Sequence, residues 1–542
     1  MPNVNGVTVT TSCSQSGNNV GTSTTYGMPI DAEISSFTTL LGGGVGISQT
    51  IIGSGDLTDS RSVSNSAGSY AAEGVTINNA ESYVYTYYLY PGEGSGWSAS
   101  LYPEVSAGES LNVNHADYIK AYAQAHNNKG YSAVVSTEIS DPSNGACLLG
   151  YSNNVVASSY KVTAAQNANQ AIGITNVQAL ANDKRGREAK SIADFIGSYS
   201  ENQAVSIDRS HVFASQQLQG KGDFEGALTY AKDGKGNEAL SREDGSFSGE
   251  MGTNKLEALV DASRASASQE VEFEYEPVSY GEVGTWDKTV FGAFSTSTNF
   301  NNNIATASQE ISHSEHYQNT LESASTANTA GSNLNSYLIG VAIDSSVLAK
   351  GMKEKEARSW EDGYTGVYFN EQSAMIDRNA AKATLNMRGV GYSLSTINSA
   401  NDGKGHQAIV ANTASLSGNM IMNSQGAQAS NSGTLAYQDS ELEYMPISYS
   451  TGTYDQCIFG DFTSWATDGV KTEANAEEII RHGEHFQQHQ MAFTDGMTAE
   501  ATNDAYSIGV ASGSVSAKDM KGKEARSWED GYTGVYSNEQ SA

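Results

Sequence analysis

Residues 350–374 read KGMKEKEARSWEDGYTGVYFNEQSA, and residues 518–542 read KDMKGKEARSWEDGYTGVYSNEQSA. Near-identical stretches 168 positions apart point to a chain built of like modules. The likeness extends upstream. Ile207-Asp208-Arg209 recurs as Ile376-Asp377-Arg378, and Asp233-Gly234-Lys235-Gly236 as Asp402-Gly403-Lys404-Gly405. VEFEYEPVSY at 271–280 matches SELEYMPISY at 440–449, and SYLIGVA at 336–342 matches AYSIGVA at 505–511. A more diverged copy precedes both: GSYSENQA at 197–204 echoes GVYFNEQSA, and CLLG at 147–150 parallels CIFG at 457–460. The expected organisation is an N-terminal arm, residues 1–34, followed by three modules of about 170 residues: 35–204, 205–374 and 375–542.

Within each copy the hydrophobic period is two. In 270–276, Val271, Phe273 and Tyr275 fall on one face and Glu270, Glu272, Glu274 and Glu276 on the other. Tyr83, Tyr85 and Tyr87 share a face in the same way. Asp-Gly, Asn-Asp-Gly and Gly-x-Gly clusters between such runs supply tight reversals. Only seven prolines occur in 542 residues, so few strand donors are lost. Helical patterns are confined to 254–261 and 476–490. The expected fold is all-β, in strands of ordinary length arranged as stacked β-arches or a solenoid, with few short helices.

The formal charge of −31 argues against nucleic acid as a partner, because phosphate binding needs clustered Lys and Arg. It suits an acidic surface whose carboxylate faces could be bridged by divalent cations. No stretch is long and apolar enough for a membrane-spanning helix, and MPNVNGVTVTTSCSQ has no signal-peptide pattern. None of the asparagines is followed by X-Ser or X-Thr, where chance would give on the order of eight such acceptor sites. Such avoidance fits exposure to a glycosylation machinery, so an extracellular or cell-surface location is expected.

Catalytic and metal-binding readings are weak. His482, His485 and His489 beside Glu484 would share a helical face and could ligate zinc, but a strand would split them. The Asp-Gly-Lys-Gly loops read as turns. Glu361-Asp362 and Glu529-Asp530, next to Trp360 and Trp528, could pass for paired acids beside a sugar-stacking ring. A packed tryptophan at a salt-bridged strand end explains them better, and Ile192 stands at the tryptophan position in the first copy. No enzyme and no cofactor is expected. The odd cysteine count points to assembly: Cys147 and Cys457 occupy equivalent places, and Cys13 on the arm could cross-link to a neighbouring chain.

Repeats, period-two faces, tyrosine-rich strands, scarce proline and missing glycan acceptors together resemble the major sheath proteins of filamentous methanogenic archaea. That resemblance implies a homopolymeric, amyloid-like tubular sheath. The sequence itself favours a structural subunit that polymerises through strand edges and module ends. Residues 518–542 are expected at the junction, with Trp528, Tyr532, Tyr536 and Ala542 in the interface. A repeat adhesin or fibre and a β-solenoid glycan-active enzyme are the alternative readings. An adhesin should carry a distinct tip domain, and an enzyme a single asymmetric cluster of acids.

Overall fold

Alternation dominates the structure as it does the sequence. In the computed structural model 84% of residues are strand, and among the described residues no helix reaches seven residues. The described backbone comprises residues 3–4, 7–8, 25–26, 31–41, 44–64, 68–90, 104–141, 144–274, 291–443, 447–449, 452–454, 458–469 and 472–542. It forms two compact units, residues 1–262 with 273–288 and residues 263–272 with 289–542.

In each unit, strands pair antiparallel with their sequence neighbours. The first contains Val162–Asn182, Glu188–Ile207, His211–Lys232 and Glu238–Asp261 in succession. The second contains Asn303–Thr326, Ala330–Lys350, Glu356–Ile376, Ala380–Asn401 and Gln407–Ser430. Straight, a strand of this length would span roughly 70 Å. Yet the two ends of single strands touch. Lys355 Nζ, before Glu356–Ile376, donates to the carbonyls of Asp377 at 2.7 Å and Arg378 at 2.5 Å, after it. Asn303 Nδ2 donates to the carbonyl of Thr326 at 2.8 Å. In the first unit, the Arg187 guanidinium bonds the carbonyl of Asp208 across Glu188–Ile207.

Each of these strands therefore bends back on itself as an arch. Its two arms meet through side chains, while their backbones bond to the arches on either side. Within Glu356–Ile376, Asn370 Nδ2 donates to Glu361 Oε2 at 3.0 Å. Within Glu238–Asp261, Asn254 Nδ2 donates to Glu243 Oε2 at 2.7 Å. Alternate residues point between the arms and are buried, as along Val162–Asn182. The strands are longer than expected, but each arm has an ordinary length.

Glycine makes the bend. Gly173, Gly197, Gly222 and Gly249 stand directly opposite one another on four neighbouring strands of the first unit. Gly340, Gly366, Gly391 and Gly418 do the same in the second. Gly197 and Gly222 have φ of 141° and 146°, which L side chains rarely adopt. A Cβ on Gly222 would lie 2.2 Å from the Ile196 carbonyl oxygen. One arch of the second unit is in two pieces. Gly433–Glu443 and Ile458–Thr467 lie between the same two strands, Gln407–Ser430 and Glu473–Thr494.

Both expected helices are strand. In 254–261, Leu256, Ala258 and Val260 point inward at period two. In 476–490, Ala476, Glu478 and Ile480 are inward on one arm, and Phe486, Gln488 and Gln490 on the other. Two alternating runs joined across a bend imitate a helical spacing. The Asp-Gly-Lys-Gly loops are turns, as expected: Asp233 Oδ1 accepts from the backbone N–H of Lys235 at 2.7 Å and of Asn237 at 2.9 Å.

If the bend requires glycine, Gly222→Ala should lose about 3 kcal/mol of stability through strain and overlap. Gly236→Ala, in a turn with φ 89° and open space around it, should lose only about 1 kcal/mol. Urea-denaturation midpoints of the two variants test this, and equal losses would count against the corner argument.

Candidate functional site: a polar interior and an open arch edge

The space between the arms is unusually polar. In the first unit Gln49, Tyr87, Glu109, Asn153, Gln166, Gln203 and Gln216 form one row, each opposite the next on adjacent strands. All are buried. Hydrogen bonds run along the row: Tyr87 OH to Gln49 Oε1 at 2.9 Å, Asn153 Nδ2 to Glu109 Oε1 at 2.6 Å and Gln166 Nε2 to Gln203 Oε1 at 3.0 Å. In the second unit Gln425, Gln438, Gln490, Asn503 and Gln540 make a similar row, also buried. Beside it runs a larger row that includes Tyr317, Leu338, Tyr368, Met420, Leu442 and Phe486. The amides thus bond along their row from strand to strand, while the second row supplies apolar contact between the same arms.

Carboxyls sit in the same interior. Burial pushes Glu201, Glu361 and Glu478 each up to about 8, and pushes Glu73 and Glu109 well above the usual carboxylate range. Glu361 Oε2 accepts from Tyr368 OH at 3.2 Å as well as from Asn370. Glu478 Oε2 accepts from Asn503 Nδ2 at 2.7 Å. Near neutrality these groups keep a proton and remain compatible with burial. Sequence reading singled out Glu361 only as a paired acid and missed the others, although Glu478 lies in inward phase with Ala476 and Ile480.

The second feature is an edge. Glu356–Ile376 is bonded on both sides, to Ala330–Lys350 and Ala380–Asn401. Its near-copy Glu524–Ser541 is bonded to Ala499–Lys518, and among the described residues no second strand is in register with it. The same side chains thus occur in two environments. Ala357 and Glu361 are buried, whereas their counterparts Ala525 and Glu529 are exposed. Trp360 is half-buried, whereas Trp528 is 72% exposed; Val367 is 38% exposed and Val535 61%. In the covered copy Trp360 lies opposite Ile397 and Val367 opposite Val390. In the first unit, Asp31–Leu41 is likewise bonded on one side, to Gly44–Ser64.

Of the expected interface residues, Trp528 is on this surface. Tyr536 points inward and is 3% exposed, and Ala542 exchanges backbone hydrogen bonds with Ala501 at 2.9 and 3.1 Å. The Tyr532 side chain lies outside the described residues, as do Cys13 and Cys457. Cys147 is a buried free thiol. His485 and His489 lie on the outer face of a strand, where His485 meets the Tyr506 ring edge-on and His489 bonds Asp439. The side chain of His482 is outside the described residues, and among those described no three His, Cys, Asp or Glu are grouped to hold a metal. Glu361 and Asp362 point to opposite faces, and Glu361 is held by Tyr368 and Asn370. The expected inward faces of Tyr83, Tyr85 and Tyr87, and of Val271 and Phe273, are present and buried. No protein-family model matches the sequence, and no characterised protein is significantly similar to it.

The interior carboxyls give stability a definite pH dependence. Unfolded, a glutamate ionises near ~4.3, whereas the folded groups hold their proton to about 8. Through that window the native state binds more protons, so stability falls as pH rises, by up to roughly 1.4 kcal/mol per pH unit per carboxyl. It levels off above the folded value and below the unfolded one. Thermal melts should therefore give a higher Tm at pH 5 than at pH 8. The triple variant Glu201→Gln, Glu361→Gln, Glu478→Gln should flatten that slope and raise Tm at pH 8. An unchanged slope would mean these groups do not titrate as described.

Proposed function

We propose that the chain is a structural subunit that polymerises with copies of itself into an extracellular sheath, tube or fibre. The observation that carries this reading is the pair of environments given to one sequence. Residues 356–373 are sandwiched between two arches, while their repeat at 524–541 offers the same backbone and side chains on one side only. A strand edge of this kind is a template for further pairing unless charge, proline or a cap blunts it. Here the edge carries Trp528 and Val535, exposed, and no proline, and two of its exposed charges, Glu524 and Arg526, pair with each other. The one-sided strand Asp31–Leu41, where the arm passes into the first module, is the complementary edge, and pairing between the two in successive copies is a heterologous contact that propagates.

Regular spacing supports the modular part of the reading. Strands beginning at His211, Glu238, Asn303, Ala330 and Glu356 have counterparts beginning at Ala380, Gln407, Glu473, Ala499 and Glu524, 168 to 170 positions later. In this reading the chain is an arm, 1–34, and three modules, 35–204, 205–374 and 375–542. The resemblance to methanogen sheath proteins and the extracellular location rest on sequence features, chiefly the absent glycan acceptor sites.

Negative-stain microscopy of the purified protein at micromolar concentration should show filaments or tubes. The variant Trp528→Lys, Val535→Lys places two charges where the covered copy has apolar neighbours. It should keep the wild-type circular-dichroism spectrum and reduce polymer at least about tenfold, equivalent to ~1.4 kcal/mol per contact. A wild-type protein that stays dispersed at every concentration would sink the proposal.

A further inference from the structure

The seam, where the two ends of each arch meet, has two unlike sides. On one, four turns of the second unit are five-residue loops closed by backbone bonds from Gly351 to Lys355, Asp402 to His406, Asp468 to Thr472 and Asp519 to Lys523, after a two-residue turn at Asn301-Asn302. On the other they are shorter, running from Thr326 to Thr329, Asp377 to Ala380 and Asp495 to Thr498. Three of these four longer turns put an exposed lysine at the tip: Lys353 and Lys404 on successive turns, and Lys521 two turns beyond Lys404. Lys404 also reaches Asn431 across the seam. Turns on one side recur every second strand, so their tips rise in steps of ~10 Å. A ladder of cations is conspicuous in a chain of net charge −31.

At the opposite end of the arches, beside the glycine corner, the sign reverses. Glu310, Asp344 and Asp362 stand directly opposite one another on three adjacent strands of the same unit. Like charges in register destabilise a sheet. Burial pushes the Asp344 carboxyl up, and the neighbouring Asp362 and Glu310 add to the effect, against the Trp360 indole and Arg358. Alternate members of this row, Glu310 and Asp362, are two strands apart and so share the ~10 Å step of the lysine tips.

We infer that the lysine-tipped side of the seam docks on the carboxylate row of a second copy, side by side. The occupant is a second copy because two stacks of the same fold have the same strand spacing, so Lys353 and Lys404, one step apart, match Glu310 and Asp362, also one step apart. The contact joins unlike surfaces, so it extends rather than closes. It rests on the self-assembly reading and adds a second direction to it, from arch ends rather than arch edges.

The test uses the edge-blocked protein Trp528→Lys, Val535→Lys, in which end-to-end growth is suppressed. By sedimentation velocity it should self-associate at ~20 mM salt and dissociate at ~300 mM, where charges are screened over a much shorter distance. Adding Lys353→Glu, Lys404→Glu and Lys521→Glu should leave monomer at both salts, as should adding Glu310→Lys and Asp362→Lys. Mixing those two variants should restore association, because each then offers a surface complementary to the other. The control Lys120→Glu, Lys221→Glu, Lys255→Glu alters charge equally, away from the seam, and should associate as before. Circular dichroism checks folding; Glu310→Lys alone is the fallback on the corner side. An edge-blocked protein that is monomeric at ~20 mM salt overturns the lateral contact, whatever the wild-type filaments do. So does a mixture that fails to recover, or a lysine side that binds a soluble polyuronate but no second copy. Failure of wild-type polymerisation, seen separately by microscopy, counts against the end-to-end reading instead.

Discussion

An arch cannot satisfy its own backbone. Its arms face each other through side chains, so their N–H and C=O groups point along the stack, toward the arches before and after. A hairpin pairs with itself; an arch needs two neighbours. Every other property of this chain follows from that dependence. Each unpaired backbone group withheld from solvent would cost on the order of 1–3 kcal/mol, so an arch is stable only where its flanks are filled. Stability then resides in contacts between neighbouring arches, as in other repeat architectures. The covered Glu356–Ile376 and the half-covered Glu524–Ser541 show the same sequence in the two states such a stack permits.

Dependence on neighbours also explains why the interior can be polar. Between the arms, a row position is occupied on strand after strand by residues held at the ~4.8 Å sheet spacing. Amides repeated at that spacing can bond along the row, as Gln166 does with Gln203, and are satisfied without water. The row of Tyr317, Leu338, Tyr368, Met420, Leu442 and Phe486 supplies apolar contact between the same arms. Glutamates can join the rows only as neutral acids, because an unpaired ionised carboxyl in that space costs far more than the proton it retains. Burial of Glu201, Glu361 and Glu478 thus links the assembly of the interior to pH through the same geometry that makes the amide rows possible.

Much of this was legible in the sequence. The period of two, read at Tyr83–Tyr85–Tyr87 and Val271–Phe273, identified inward faces that are buried as read. The Asp-Gly-Lys-Gly clusters were turns, and arches were the expected architecture. The position of the bend was harder to read. Gly222 and Gly197 look like ordinary strand glycines until the register sets them opposite each other. Without the bend, 476–490 mimics a helix, because Ile480 and Phe486 belong to two alternating runs out of phase. The histidine group was drawn on that false helix. Glu361 and Asp362 looked like paired acids because adjacency in sequence resembles adjacency in space, which a strand prevents. Polar rows were invisible for a different reason: a row is a property of neighbouring strands, and one sequence does not display its own register.

The register also limits what can cover the open edge. Among the described side chains, Trp528 and Val535 are the large apolar groups exposed there, too few to drive a specific contact by burial at ~25 cal/mol per Å². Backbone pairing must supply most of the energy, and backbone pairing alone is indifferent to sequence. Specificity then falls to the corner. Gly366 lies opposite Gly340 on one side and Gly391 on the other. In the first unit, where the close approaches are known, a Cβ on either of the opposed Gly197 and Gly222 would collide with the facing strand. Gly534, opposed to Gly509 within the chain, presents the same corner to whatever pairs beyond it. A partner strand one residue out of register would bring a side chain against that corner and turn its inward face outward. The edge is therefore open to pairing but selective in register, which is the combination an ordered polymer requires and an amorphous aggregate does not.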